Sequence, residues 1–315
     1  MCDFASFVVT KDRVFYSDKS HSHEEIIKEF NLHEGLVTNP NFIRVEIRPK
    51  NFETKSLQDL DSWVFRIDQD ILPDWFDKVK VEKRVRKLLP EVVKKQVILE
   101  GEVEEIKDRY VYIIGGNTKV NSISGNTRVR FICENAKVNY IYGNAKVDSI
   151  SENAKVNYIS EKAKVDSIFG EAKVDSISEN AKVGSISGNA KVGSIYGEAK
   201  VKFISENAEV GFIYGKAEVN SIYGNAKVDS ISEKAKVNSI YGEAEVYYIP
   251  GNAEVGSIYG NAEVNYISEN AKVGSIYGKA EVDSISENAK VKSISESAKV
   301  KSISESVEVG EDFRN

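Results

Sequence analysis

Among 315 residues, the side chains able to do covalent or acid–base chemistry in one neighbourhood are Cys2, His21, His23, Asp68 and Asp70. Removal of Met1 would make Cys2 the first residue, where its own α-amino group can serve as base for its thiol, a nucleophile suited to amide bonds. His21 and His23 offer imidazoles for proton transfer, and Asp68 and Asp70 offer carboxylates. The same residues have plain structural uses. Ser22-His23-Glu24-Glu25 has the spacing of a helix capping box, and Asp68-Gln69-Asp70 reads as a loop. No complete metal motif emerges, and there is no phosphate-binding loop, dinucleotide fingerprint or serine elbow, so neither metal nor cofactor is expected. Two cysteines, Cys2 and Cys133, cannot make a disulfide framework.

The elements that must position these residues form a small α+β domain over residues 1–76. Residues 7–10 and 14–16 flank Lys11-Asp12 as a β-hairpin, and Ile26, Ile27 and Phe30 give the segment after Ser22 the apolar face of a helix. Residues 42–47 and 63–67 alternate as strands, Pro73 stands near the start of another helix, and Trp63 and Trp75 read as core. Residues 77–108 read as a basic helical linker and capping segment. Val81, Val85, Leu88 and Leu89 form its apolar side, its lysines and arginines are solvated, and Pro90 ends or kinks it.

From 109 to 315 the chain is an array. Valine recurs at every ninth position from Val120 to Val309, and isoleucine three residues later from Ile123 to Ile303. In residues 144–152, Asn-Ala-Lys-Val-Asp-Ser-Ile-Ser-Glu, alternation points Ala145 and Val147 inward and Lys146 outward. Ile150 must also face inward, so the chain bends between Val147 and Ile150. A second bend falls at Ser151-Glu152-Asn153, where Gly often replaces Glu. Nine residues are too few for a helical hairpin, and Val, Ile, Ser and Tyr suit strands, so a mainly β protein with a C-terminal β-solenoid is expected.

Gly-Asn-Ala-Lys-Val, at 143–147 and again at 224–228, resembles the Asn-Ala-x-Val phrase of bacterial and phage β-helical repeat proteins. The resemblance covers the array alone and implies a β-helix with a phage or prophage interference role; related arrays step by six residues where this one steps by nine. Cys2 is similar to the nucleophile of N-terminal-nucleophile amidohydrolases, a likeness one residue deep. The residue after the isoleucine is bulky at Tyr142, Phe169, Tyr196, Tyr223 and Tyr277, with Pro250 in the remaining slot of this 27-residue series. That series favours three nonapeptides per coil and one aromatic column for binding. Two per coil, an 18-residue flattened roll, is the alternative, and Tyr214, Tyr241 and Tyr259 fall outside the 27-residue column.

The formal charge of -6 is mild. Between 117 and 305 there are 23 basic and 24 acidic residues, a balance that disfavours both a nucleic-acid-binding rod and an acidic mimic of one. The sequence has no apolar run of membrane length and no signal-peptide pattern, so a cytoplasmic chain is expected. Tyr, Ser, Gly and Asn compose adaptable protein-binding surfaces. The expected function is therefore a non-enzymatic scaffold for a protein partner, with end-to-end association of rods as a further contact. The alternative is an amidohydrolase domain carried on the solenoid. Intact mass spectrometry of the mature chain separates them at one point: a nucleophilic Cys2 requires loss of Met1, and retained Met1 removes that mechanism.

Overall fold

A computed structural model describes residues 5–51 and 54–314. The N-terminal domain is a four-stranded antiparallel sheet with a helix on each face. Strands β1 (Ser6–Thr10) and β2 (Val14–Phe15) form the expected hairpin. After α1 (His23–Glu29) come the short pair β3 (Gly35–Leu36) and β4 (Asn39–Pro40), then β5 (Phe42–Arg48). Helix α2 (Thr54–Gln58) and a 3-10 turn lead to β6 (Val64–Ile67), and the sheet order is β2-β1-β5-β6. Alternation along β5 divides the packing. Ile43, Val45 and Ile47 join the core shared with helix α3 (Lys78–Gln96), whereas Phe42 packs with Ile26 of α1.

Two helix expectations are corrected. Ser22 is the N-cap of α1 in extended conformation, but its side chain makes no capping bond; the first turn closes through its carbonyl, which accepts from Ile26 N–H at 3.0 Å. Helix α3 starts at Lys78 with Asp77 as cap, after a turn in which Phe76 N–H donates to the Pro73 carbonyl, and it runs through Pro90 to Gln96. A proline removes one helical hydrogen bond, but Leu89, Val92, Val93 and Gln96 are buried on either side of it and hold the helix on course. The segment is thus packed core rather than linker. Tyr16 donates to Glu91 at 2.8 Å and Lys95 reaches Asp18 at 3.0 Å, tying the hairpin region to α3.

The solenoid begins directly after α3. Strands β7 (Val97–Ile98), β8 (Glu102–Lys107) and β9 (Tyr110–Ile114) start two parallel sheets of 13 and 12 strands, which continue to the strands Glu308–Asp312 and Lys299–Ile303. Successive strands alternate between the sheets, and beyond the first coil paired residues lie 18 positions apart, as Val147 with Val165 and Val156 with Val174. Each coil therefore contains two nonapeptides, not three. The cause is local. Residues 151–154 close a tight turn in which Ala154 N–H donates to the Ser151 carbonyl at 3.2 Å, and Glu152 stands at φ +56°. Such a turn reverses the chain, so two of them complete a circuit.

The repeat valines and isoleucines from Val111 to Ile294, with the turn alanines from Ala136 to Ala298, form one continuous core along the rod. Val and Ile are three apart yet both inward because the register pairs strand positions one, two, four and five and leaves out the third: Val120↔Val138 and Ser122↔Tyr140 are partners, while Asn121 and Asn139 are skipped. The bend expected between Val and Ile is this unpaired third residue. Its side chains pair instead, Asn139 Nδ2 donating to Asn121 Oδ1 at 3.1 Å and Asn157 Nδ2 to Asn139 Oδ1 at 3.2 Å.

The turn explains why Gly and Glu share one slot. Left-handed backbone suits glycine, and Glu there stores strain of about 1 kcal/mol or more. The glutamates offset it by accepting from the coil below: Glu134 N–H donates to Glu152 Oε2 at 3.0 Å, and Gly188 N–H to Glu206 Oε2 at 2.8 Å. The last coil is closed differently. Asp312 takes the place of the inward isoleucine and pairs with Arg314 at 2.6 Å, while the guanidinium also donates to the Val300 carbonyl at 3.1 Å.

Two outcomes follow from this packing. Ile195 is fully buried between Ile177 and Ile213, so Ile195→Asp buries a carboxylate in the core at a cost of about 4 kcal/mol or more. Limited proteolysis is expected to cut around that coil while distant coils resist, and wild-type resistance there would contradict the inward assignment. The hydrogen-bonded Arg314 lowers Asp312 to about 2. Because its folded pKa lies below the usual value near 4, its contribution is present above pH 4 and fades as pH falls toward 2. Hydrogen exchange of residues 299–313 is expected to lose protection over that range ahead of the mid-array coils.

Candidate functional site

Two regions carry functional side chains: the face of the N-terminal sheet under α1, and the outer surfaces of the rod. In the first, His23 opens α1 and is fully buried against β5. Its Nε2 lies 3.1 Å from the Val45 carbonyl, and its Nδ1 lies 3.0 Å from Oδ2 of Asp68, just past β6. Glu46, on the same face of β5 as Phe42 and almost wholly buried, brings a carboxylate oxygen within 4.8 Å of both ligand atoms. Of the sequence-derived candidates, the fold thus unites His23 with Asp68 and adds Glu46. His21 is directed elsewhere and stacks on Tyr110, ring centroids 4.6 Å apart. Asp70 lies exposed in the loop beside Arg44, Gln69 and Ile71. Cys2 lies outside the described residues. Glu46 escaped sequence reading because it sits in an alternating strand as an apparently outward polar residue; its one signal was that a helix had to cover that face.

Cys133 is no substitute nucleophile. It is buried in the core between domain and rod, and burial, with Glu152 and Glu134 nearby, pushes its thiol up to about 12.

On the rod, alternation of strands between sheets rearranges the aromatic residues. Tyr142 and Tyr196 follow strands of the 12-stranded sheet, whereas Phe169, Tyr223 and Tyr277 follow strands of the 13-stranded sheet, so the expected single column does not exist. The true columns run at 18 residues. Tyr223, Tyr241, Tyr259 and Tyr277 form a ladder of four rings with centroids 4.9 to 5.1 Å apart and planes within 9° of parallel. Tyr196 and Tyr214 stack at 5.1 Å on the other side. The residues that fell outside a 27-residue column are the stacking partners.

These corner rings are mostly half-buried. Phe203 is exposed on the 13-stranded sheet, edge-on to Tyr223, but most of the exposed strand aromatics lie on the 12-stranded sheet, where Tyr140 and Tyr158 stack at 5.2 Å and Phe212, Tyr247, Tyr248 and Tyr266 stand farther along. Tyr248 stacks on Tyr266 at 5.1 Å, and Tyr247 meets both edge-on at 4.4 and 5.7 Å. Phe212 is 52% exposed two coils below, separated from Tyr248 by Ser230.

The basic run also splits in two. Arg128, Lys146, Lys164, Lys182 and Lys200 stand on one face, and Lys119, Lys137, Lys155, Lys173 and Lys191 on the other. Glutamates terminate each row: Lys191 pairs with Glu209 at 2.6 Å and Lys200 with Glu218 at 2.7 Å. Farther along, Lys227–Glu245 and Lys236–Glu254 continue that mutual pairing. Such exposed pairs contribute little stability singly, and like charges still stack elsewhere, as Glu245, Glu263 and Glu281 do.

No known protein family, curated protein or solved structure matches the chain. Among the described residues, no helix is long and apolar enough to cross a membrane.

Proposed function

We propose that this chain is a non-enzymatic recognition scaffold in which the rod presents an aromatic surface to a protein partner and the N-terminal domain covers its first coils. The observation that carries this reading is the exposed patch of Tyr247, Tyr248 and Tyr266, preorganised by mutual ring contacts, with the exposed Phe212 two coils away on the same sheet. Tyrosine and phenylalanine supply large contact area at low entropic cost, and rings already fixed by their neighbours lose less on binding. The surrounding Ser, Gly, Asn and Lys/Glu pairs make a polar rim. A cytoplasmic setting and a phage-type interference role against a host protein belong to the same reading through the Asn-Ala-x-Val resemblance. End-to-end association draws less support, because Glu308, Glu311 and Asp312 place charge on the last strand of the 13-stranded sheet, a common guard against strand addition.

A hydrolase domain with Cys2 as nucleophile is the second reading, favoured by the Asp68-paired imidazole of His23, since a carboxylate-oriented histidine is the usual base for a thiol. Against it stands the orientation of Nε2 toward the Val45 carbonyl.

A photo-crosslinking residue in place of Tyr248 tests the scaffold reading in the organism that makes the protein. A discrete protein adduct is expected, absent when the same residue replaces Ser239 in the 13-stranded sheet and lost when Tyr247 and Tyr266 are changed to Ser. Identical adducts at both positions, or none, would sink the aromatic face as the recognition surface.

A further inference from the structure

Building on the aromatic face proposed above, we infer that its partner is a second copy of this chain. Two rods lie antiparallel, the outer face of the 12-stranded sheet of one against the same face of the other, related by a two-fold axis along the strands.

Three strand positions face outward on that sheet, the first, third and fourth, because Val and Ile at the second and fifth are buried. Their side chains stand in columns with one coil, about 4.8 Å, per step. In the first column the charges are segregated. Lys137, Lys155 and Lys173 stack in succession near its start, and Glu245, Glu263 and Glu281 near its end. Like charges directly opposite in a ladder are destabilising. Lys227 and Lys299 pair with the outer two glutamates at 2.9 and 2.5 Å, which still leaves three carboxylates to two ammonium groups.

An isologous contact brings the two runs together. Rotation about an axis along the strands reverses the rod but keeps each strand position over the same position of the partner. With the axis between the strands of Lys191 and Glu209, the midpoint of the sheet, the first strand lies over the last and the two faces overlap fully. Lys137 then faces Glu263, and Lys155 faces Glu245. Glu102 faces Lys299, Lys119 faces Glu281, and Lys191 faces Glu209. Lys173 alone meets a like charge, Lys227, and at the third position of those same two strands Asp175 and Asp229 serve as diagonal partners. A slide by one coil in either direction leaves only half of the first-column oppositions attractive.

The fourth column matches in the same register. Tyr140 faces Tyr266 and Tyr158 faces Tyr248, so two exposed, stacked tyrosine pairs cover one another. Beside the axis the third position holds Gly193 and Gly211, which lets the backbones approach, and Phe212 lies over Ser194. Twelve strands, five residues wide, present on the order of 850 Å2, where one side of a stable interface is about 800 Å2. The 13-stranded sheet offers no such match. In full overlap Arg128 faces Lys272 and Lys164 faces Lys236, and its first strands give Tyr112 and Phe131 to the core of the N-terminal domain.

Sedimentation equilibrium of the full chain is expected to give a dimer of two 35.1 kDa chains. Lys137→Glu with Lys155→Glu opposes like charges in both halves of the contact and is expected to raise the dissociation constant about tenfold or more, as is Glu245→Lys with Glu263→Lys. An equimolar mixture of the two double variants makes those oppositions attractive again, so a heterodimer of wild-type affinity is expected, which a folding defect in either variant would not allow. A monomeric wild-type chain overturns the inference. So does a dimer that the charge reversals leave unchanged, or one that mixing fails to restore. A monomer whose crosslinker at Tyr248 captures a different protein keeps the aromatic face as a recognition surface and loses only the self-contact.

Discussion

A nine-residue unit that must bury both a valine and an isoleucine cannot do so alone; only the coils before and after it can cover those side chains. Everything regular in this protein follows from that constraint. Each fully buried Val or Ile contributes about 1.5 to 3 kcal/mol relative to exposure, but only while its neighbours stay in register. Register is therefore reinforced wherever the repeat offers a side chain: Asn on Asn, Tyr on Tyr, Lys on Glu, and a glutamate that reaches one coil down to a turn N–H. None of these is strong singly. Together they set an 18-residue step at every exposed corner of the coil.

The same constraint governs the ends. The first coils cannot leave their outer faces bare, and β9 meets this by facing two ways. Val111 and Ile114 join the rod's core, while Tyr110, Tyr112 and Ile113 join the core of the N-terminal domain. Helix α3 passes from one to the other without a linker, so of the basic residues that read as a solvated bridge the lysines Lys78, Lys80, Lys83 and Lys87 are the exposed face of a packed helix, whereas Arg84 donates to the Thr10 and Lys11 carbonyls and Arg86 to that of Trp63. At the far end the isoleucine gives way to Asp312, which Arg314 neutralises while holding a coil carbonyl. One end is covered by a domain, while the other carries the Asp312–Arg314 pair and an acidic last described strand beside the exposed Phe313.

Much of this was legible in the residues themselves. Period, inward valines and isoleucines, both bends, the hairpin and the two strands of the domain all follow from alternation and turn chemistry. Coil size did not, and the reason is physical. Bulky residues recur every 27 positions, but whether 18 or 27 residues complete a circuit depends on how far each turn rotates the chain. Glu152 and its equivalents at φ near +55° reverse it. A sequence shows that Gly and Glu share the slot; only the backbone shows that both adopt left-handed geometry there. With two units per coil, a 27-residue recurrence sends alternate aromatics to opposite sheets; a continuous ladder arises because Tyr241 and Tyr259 fill the positions between Tyr223 and Tyr277, and Tyr214 adds a partner for Tyr196.

The N-terminal cluster was half legible for a related reason. His23 and Asp68 drew notice because their residue types imply chemistry, yet His21 and Asp70, of the same types, belong elsewhere. What separates them is the sheet. Antiparallel pairing of β5 with β6 carries the chain past Arg66 and Ile67 to Asp68 at the point where α1 crosses, and the two-residue period of β5 turns Glu46 rather than Val45 toward that helix. Local pattern alone would make Glu46 a solvent-facing residue; its burial is a consequence of α1 lying over the face. A carboxylate so enclosed needs a compensating charge or donors around it. The fold brings to that place an imidazole pinned by a backbone carbonyl and a second carboxylate half open to solvent, so that acid–base side chains from separate elements meet there.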